Sequence, residues 1–358
     1  AFALCNFLVL EEATGEDRFA RLGFNLIDHV HRTLGRYRED DDRDGWISGL
    51  DEEFAREHPT AGGLRIGKPL PERAPDEPFD DAREWQSDGQ YFHYLTKWML
   101  ALDIAGRRTG QERYSRWACE LCEKAADAFV YKQDGDYRMH WKMSTDLSRP
   151  LVPSMGQHDP LDGYVTAREL RSALDRSGSG AVGDDLDSVC DRMKQMLRSI
   201  RLVTTDTLGI GGLLMDATRL AQLIDGETSN DYRLLIDLLD SALAGLRTVA
   251  DSRMMQMPAA RRLAFRELGM AIGLEGVRIM REYLLHNEKA LGGKEELMDR
   301  LEKYTEYIPS GENIRDFWLK DANRQFPGWT EHRDINAVML ATTILPGGVL
   351  FLPEHGEQ

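Results

Sequence analysis

The sequence predicts an all-α chain assembled from helical hairpins, and three observations carry that expectation. The segment Thr14-Gly15-Glu16-Asp17-Arg18-Phe19 returns as Thr109-Gly110-Gln111-Glu112-Arg113-Tyr114, each time between a shorter apolar stretch and a longer amphipathic one. Apolar residues recur at helical spacing along most of the chain, and almost nothing alternates as a strand would. The connections come in two kinds, short ones with turn chemistry and long ones rich in Pro, Gly, Trp, His and acidic residues.

Taken in order, the helical stretches fall near 3–13 and 17–34, 90–106 and 112–130, 158–175 and 184–200, 211–224 and 231–250, 262–285 and 295–307, with a shorter pair near 313–322 and 334–344. That makes six hairpins. In the first two, the repeated segment is the corner: Gly15 or Gly110 ends one helix in a left-handed cap, an acidic residue caps the next, and the aromatic fixes the angle between them. The third and fourth pairs turn at Ser177 to Gly183 and Asp225 to Asn230, which are short and polar. First helices carry glycine (Gly163; Gly211 and Gly212; Gly269, Gly273 and Gly276), which suits crowded packing, whereas second helices such as 112–129 and 184–200 set a charged stripe opposite an apolar one. Such units bury their apolar faces by stacking on neighbours. The chain therefore reads as one domain, 1–358, with no internal boundary.

Composition narrows the partners. The chain has 358 residues, 42% hydrophobic, with a formal net charge of -16, so nucleic acid and anionic membrane are disfavoured as partners. The apolar run Ala1 to Leu10 lacks a basic flank and a cleavage site, and no stretch reaches the roughly 18 apolar residues of a membrane span, so a cytoplasmic location is expected. Four cysteines suggest no disulfide framework. Cys119 and Cys122 lie within a continuous helical stretch and read as buried packing.

The long connections 35–88, 131–157 and 309–331 hold most of the polar aromatic residues. If first helices line the inside of a ring, every long loop enters an inner helix at its N-terminus. All the loops then share one rim, with helix dipoles aimed into a common funnel. Residues 35–88 are too long for a plain connector. With Trp46, Ile47, Phe54, Leu64, Ile66 and Trp85 as anchors, they read as an ordered lid or wall over that pocket.

Six hairpins, the T-G-x-[E/D]-R-[F/Y] corner, and the helix starts Trp85-Gln86-Ser87-Asp88-Gly89-Gln90-Tyr91 and His158-Asp159-Pro160-Leu161-Asp162-Gly163-Tyr164 together resemble the six-hairpin glycosidase superfamily. The likeness covers nearly the whole chain. It implies an (α/α)6 toroid with a carbohydrate in the pocket and long loops on one rim. Glycoside hydrolases and sugar 2-epimerases both belong to the superfamily, so the sugar is implied more firmly than the reaction.

Two clusters could carry chemistry. In the first, Asp159 stands where an N-cap belongs, before Pro160, and Asp162 follows three residues later. Besides capping, either carboxylate could act as general acid or base beside His158, and an apolar funnel would raise the pKa that an acid needs. In the second, Gln90, His93, Tyr94 and Lys97 share one helix face, with Asp88, Tyr91 and Trp98 beside them. That mixture suits sugar rings stacking on aromatics while their hydroxyls find hydrogen bonds, although a buried polar network has the same composition. Further candidates are His140-Trp141-Lys142, Asp206, Arg262 with Glu267, and His332 beside Trp329.

For hydrolysis, Asp159 or Asp162 pairs with Asp88 or Glu267, and Trp46, Trp85, Gln90, Tyr91, His93, Lys97, Trp141, Arg262 and His332 bind substrate. For epimerisation, His93, His158 and His332 serve as bases, with Arg262 and Glu267 holding the open-chain carbonyl. A toroid that only binds a glycan or a protein is the third expectation. No cofactor and no metal is called for. Asp40, Asp42 and Asp44 approach the spacing of a calcium loop but read as a solvated acidic loop. Gly209, Gly211 and Gly212 follow no strand and read as helix packing, and Met254, Met255 and Met257 as gap filling.

Overall fold

A computed structural model describes residues 1–177, 183–224, 230–286 and 294–350. The short turns expected at Ser177 to Gly183 and Asp225 to Asn230 lie largely outside these residues. The chain is mostly helical and divides into two compact units, Ala3–Ile200 and the part from Arg201 onward. No described helix is long and apolar enough to cross a membrane.

The first unit contains three helical pairs: α1 (Phe2–Thr14) with α2 (Asp17–Leu34), α3 (Phe92–Thr109) with α4 (Glu112–Phe129), and α5 (Asp159–Ser177) with α6 (Gly183–Leu197). Both repeated corners turn through a left-handed glycine, Gly15 at φ 68° and Gly110 at φ 66°, where a side chain would be strained. The next helix begins after Glu16 or Gln111, but neither side chain caps it. Instead Thr14 and Thr109 return their hydroxyls to Leu10 and Ala105 carbonyls. The aromatic of the second copy, Tyr114, stacks on Phe24 of α2 at 6.0 Å, so its contact is with the neighbouring pair and not across its own corner.

Helix burial follows composition. From Leu95 to Arg107, α3 buries every residue but Lys97, whereas α2 buries only Gly23, Ile27 and His31. Cys119 and Cys122 are free thiols on the buried face of α4. His31 is enclosed by Trp98 at 5.8 Å and Trp117 at 5.1 Å, and the Trp98 indole N–H donates to its Nε2 over 3.1 Å.

Strands appear where none was expected. β1 (Gln90–Tyr91), β4 (Lys142–Met143) and β5 (Pro150–Val152) form a small antiparallel sheet in the order β1-β4-β5, and β2 (Val130–Gln133) pairs with β3 (Asp136–Met139) as a hairpin. Asp134 and Gly135 turn that hairpin with positive φ, the Asp-Gly signal that a helix-oriented reading passes over.

The connection 35–88 is ordered as expected, and in this unit it meets the connection 131–157. Arg43 binds Asp41, Glu72 and Asp146, and Lys142 is fully buried with its ammonium on the Glu84 carboxylate and on the Glu84 and Ser87 carbonyls. Asp40 is held by Arg38, and the Asp44 carboxylate accepts its neighbour's N–H from Gly45.

The second unit contains α7 (Thr207–Ala221), α8 (Asn230–Asp251), α9 (Ala264–His286), α10 (Lys294–Glu302), α11 (Ile308–Leu319) and α12 (Arg333–Ile344). Glycines set the approach of α7 to α9: a Cβ at Gly211 would stand 2.1 Å from the Gly269 carbonyl oxygen, and one at Gly273 would stand 2.7 Å from that of Gly211. Both obstacles are backbone and cannot rotate away. Gly211→Ala is therefore expected to cost about 3 kcal/mol or more, read as a lowered urea midpoint, while Gly212→Ala, with nothing within 4 Å, is expected to be mild.

Candidate functional site

The expected site residues of the first unit sort into two groups. Asp88, Gln90 and Trp46 are used up by the fold. Asp88 is completely buried and accepts from Arg65 (2.8 Å), Gly67 N–H (2.8 Å), Lys68 N–H (3.3 Å) and Gly89 N–H (3.0 Å). A carboxylate buried and held by four donors is committed to the fold of this connection, so its expected catalytic role is withdrawn. Gln90 lies in β1 and not on the α3 face; its amide accepts from Leu64 N–H and donates to the Gly62 and Thr145 carbonyls. Trp46 is buried against Gly35 with Arg36 over its ring at 4.7 Å.

The other group forms a continuous arc. Trp85 contacts Trp141 with ring centroids 4.8 Å apart, Trp141 contacts Tyr91 at 4.7 Å, Tyr91 contacts Tyr94 at 5.6 Å, and Tyr94 contacts His93 at 6.1 Å. Trp85 is 52% exposed and Tyr94 51%, so the arc offers ring faces to solvent. Buried Lys142 supports it from behind, its ammonium 5.2 Å from the Tyr91 ring.

The arc ends on a charged cluster between α3 and α5. His93 Nδ1 lies 3.0 Å from Asp162 Oδ2, the Thr96 hydroxyl donates to the same oxygen over 2.7 Å, and Lys97 Nζ reaches Oδ1 at 2.5 Å. The imidazole, with its side chain 47% exposed, is thus oriented through Nδ1 by a buried carboxylate.

Asp159 completes the cluster. It is the first residue of α5 and not its cap, and only 6% exposed. Burial pushes its carboxyl up to about 6; His93 and Lys97 oppose the rise, Asp162 reinforces it, and a backbone N–H at Gly156 opposes it weakly. Its Oδ2 has no hydrogen-bond partner among the described residues. An acid raised to about 6 beside a carboxylate-oriented imidazole can give and take protons. His158 precedes Asp159, half-buried, and its carbonyl accepts the Asp162 N–H at 3.0 Å.

The remaining candidates belong to the second unit. Arg262 grips both Glu267 oxygens (2.8 and 2.7 Å), and the Trp318 indole N–H donates to Glu267 over 2.8 Å. Arg262 also stacks 3.8 Å over Phe317. Both members of this pair are buried and saturated, so Glu267 as second catalytic carboxylate and Arg262 as sugar ligand are likewise withdrawn. His332 is exposed, edge-on to Phe265 at 5.3 Å.

Two participants went unread in the sequence. Thr96 stands three residues after His93, on its helix face, and Gly156 stands three before Asp159; only the spacing could have flagged them. The chain matches no known family model, no curated protein and no solved structure.

Proposed function

We propose that the first unit carries an acid–base centre acting on carbohydrate, and that hydrolysis of a glycosidic bond is the reaction it fits best. The observation that carries this reading is the exposed aromatic arc from Trp85 to Tyr94 running into His93, Asp162 and Asp159. Sugar rings stack on such faces, and the charged end supplies proton transfer. In this scheme Asp159 gives its proton to the leaving-group oxygen as the glycosidic C–O bond breaks. His93, with Nδ1 on Asp162, takes a proton from the water whose oxygen bonds to the anomeric carbon. Lys97 and Thr96 hold Asp162.

The His93–Asp162 pair also favours a second reading, removal of a carbon-bound proton next to a sugar carbonyl, as a 2-epimerase requires. The closed six-hairpin toroid belongs with both readings, supported by six helical pairs in order and by the contrast between buried first helices and one-sided second helices.

A panel of oligosaccharides and reducing sugars incubated in heavy water tests all of this. New reducing ends support hydrolysis, and deuterium at C2 supports epimerisation. Trp85→Ala and Tyr94→Ala are expected to weaken sugar binding tenfold or more, about 1.4 kcal/mol, while leaving the helical signal intact. A panel that shows neither binding nor turnover ends the carbohydrate reading.

A further inference from the structure

Asp159 poses a problem for any reaction it serves, because it is covered. Residues 153–158, which lead from β5 into α5, cross over its carboxyl. A Cβ built on Gly156 would stand 2.2 Å from Asp159 Oδ2 and 2.7 Å from Oδ1. Glycine is therefore the residue that lets the backbone seat there. On their outer side Pro153, Ser154 and Gln157 are exposed, so a surface segment is what separates the carboxyl from water. The segment's two ends are fastened: Pro153 hydrogen-bonds His140 and the Ser154 carbonyl accepts the Trp141 N–H over 2.9 Å, which joins the segment to the aromatic arc, while the His158 carbonyl accepts the Asp162 N–H over 3.0 Å. Any lifting is therefore of the stretch between these ends.

The helix beneath cannot yield in its place. Through Asp162, α5 is bound to His93, Thr96 and Lys97 of α3, and a Cβ at Gly163 would stand 3.0 Å from the Phe92 ring. A carboxyl that exchanges a proton with a ligand must touch it, and of the two layers the crossing segment is the movable one.

We propose that residues 153–158 are a cover over Asp159 that lifts to admit a ligand, and that Gly156 is the position that lets the cover close. The idea rests on the reading of Asp159 as the acid of the site. Its physical content is a linkage between access and proton affinity. Under the closed cover Asp159 faces His93 and Lys97 from α3 and Asp162 from its own helix, and exclusion of water dominates. Lifting the cover hydrates the carboxyl and releases that dominant cause, so ligand entry and proton release are coupled. Trp141, at once a ring of the arc and a tether of the cover, is placed to report a sugar on the arc to the segment above the acid.

The test follows the Asp159 carboxyl carbon by NMR in aspartate-labelled protein, with the resonance assigned by its loss in Asp159→Asn. The parent is expected to titrate near 6. Gly156→Ala is expected to bring the midpoint down toward 4, a loss of about a hundredfold in proton affinity, with faster amide exchange over 153–158. An unchanged midpoint overturns the proposal. Should the alanine variant fold poorly, the same substitution in an Asp159→Ala background decides the matter, because the space it needs is then vacant. A stability loss confined to the parent background supports the close fit, and an equal loss in both backgrounds overturns it. None of these readings uses turnover, so a lowered midpoint with no activity toward any sugar would retain the cover and discard the carbohydrate assignment.

Discussion

Asp159→Asn is expected to abolish turnover while making the protein more stable at neutral pH, by about 3 kcal/mol. The size follows from the distance between an ordinary aspartate and this one, from 3.8 to about 6, at 1.36 kcal/mol per pKa unit. The sign follows from proton counting. Between those two values the folded chain holds a proton that the unfolded chain has released, so stability from this group is fully present below about 3.8 and declines as the pH rises toward 6. Above 6 the folded protein carries a buried charge whose loss of hydration outweighs the help of His93 and Lys97, and asparagine does not have it. Urea unfolding at pH 8 should show the full gain, and at pH 4 almost none. A variant that is less stable at pH 8 would show that the carboxylate is better solvated than its burial implies. A stabilising substitution at the acid is also what a site held under strain for function predicts.

His31 acts in the opposite direction and more strongly. Burial between Trp98 and Trp117 pushes its imidazole down to about 3 from 6.5, and because the Trp98 indole occupies Nε2 as donor, the neutral ring keeps its own proton on Nδ1. The unfolded chain binds a proton below 6.5 that the folded chain refuses, so this contribution is complete above 6.5 and is lost as the pH falls toward 3, by about 5 kcal/mol in all. His31→Gln keeps an acceptor for the indole but cannot titrate. It is expected to be less stable than the parent at pH 7.5, by about 1–2 kcal/mol of lost ring packing, and more stable at pH 4. The two stability curves should cross between about pH 4 and 6. Parallel curves would mean that the ring protonates in place. Because the Asp159 and His31 slopes oppose each other between about 4 and 6, the parent should look nearly flat there, and each single variant should expose the slope the other residue had cancelled.

Much of the helical framework was legible because periodicity and corner glycines are local signals. Gly15 and Gly110 are left-handed caps, and most of the expected helix bounds agree with the structure to within a few residues. The small sheet was not legible, because β1 and β4 are two residues each and form only where Gln90 is bound by Leu64, Gly62 and Thr145 from distant segments. The site divides along the same line. A sequence shows that Asp88, Asp159, Asp162 and Glu267 are acidic, but not how many donors surround each. Asp88 and Glu267 have donors on both oxygens, Asp162 is shared among three partners on α3, and of these four only Asp159 keeps a bare oxygen. Which carboxylate is free for chemistry is a property of its neighbours, and those neighbours come from elsewhere in the chain.

The knot at Asp88 makes the long connection before it and the helix entry after it one inherited piece. Gly62 to Lys68 supply donors and acceptors that Asp88 and Gln90 need, so no residue can be deleted there without loosening the start of α3. Residues 78–82, by contrast, are all exposed. Insertions and deletions over evolutionary time have more room in that exposed stretch than between Gly62 and Lys68. An affinity tag or a fluorophore grafted within 78–82 leaves the hydrogen bonds of Asp88 and Gln90 untouched.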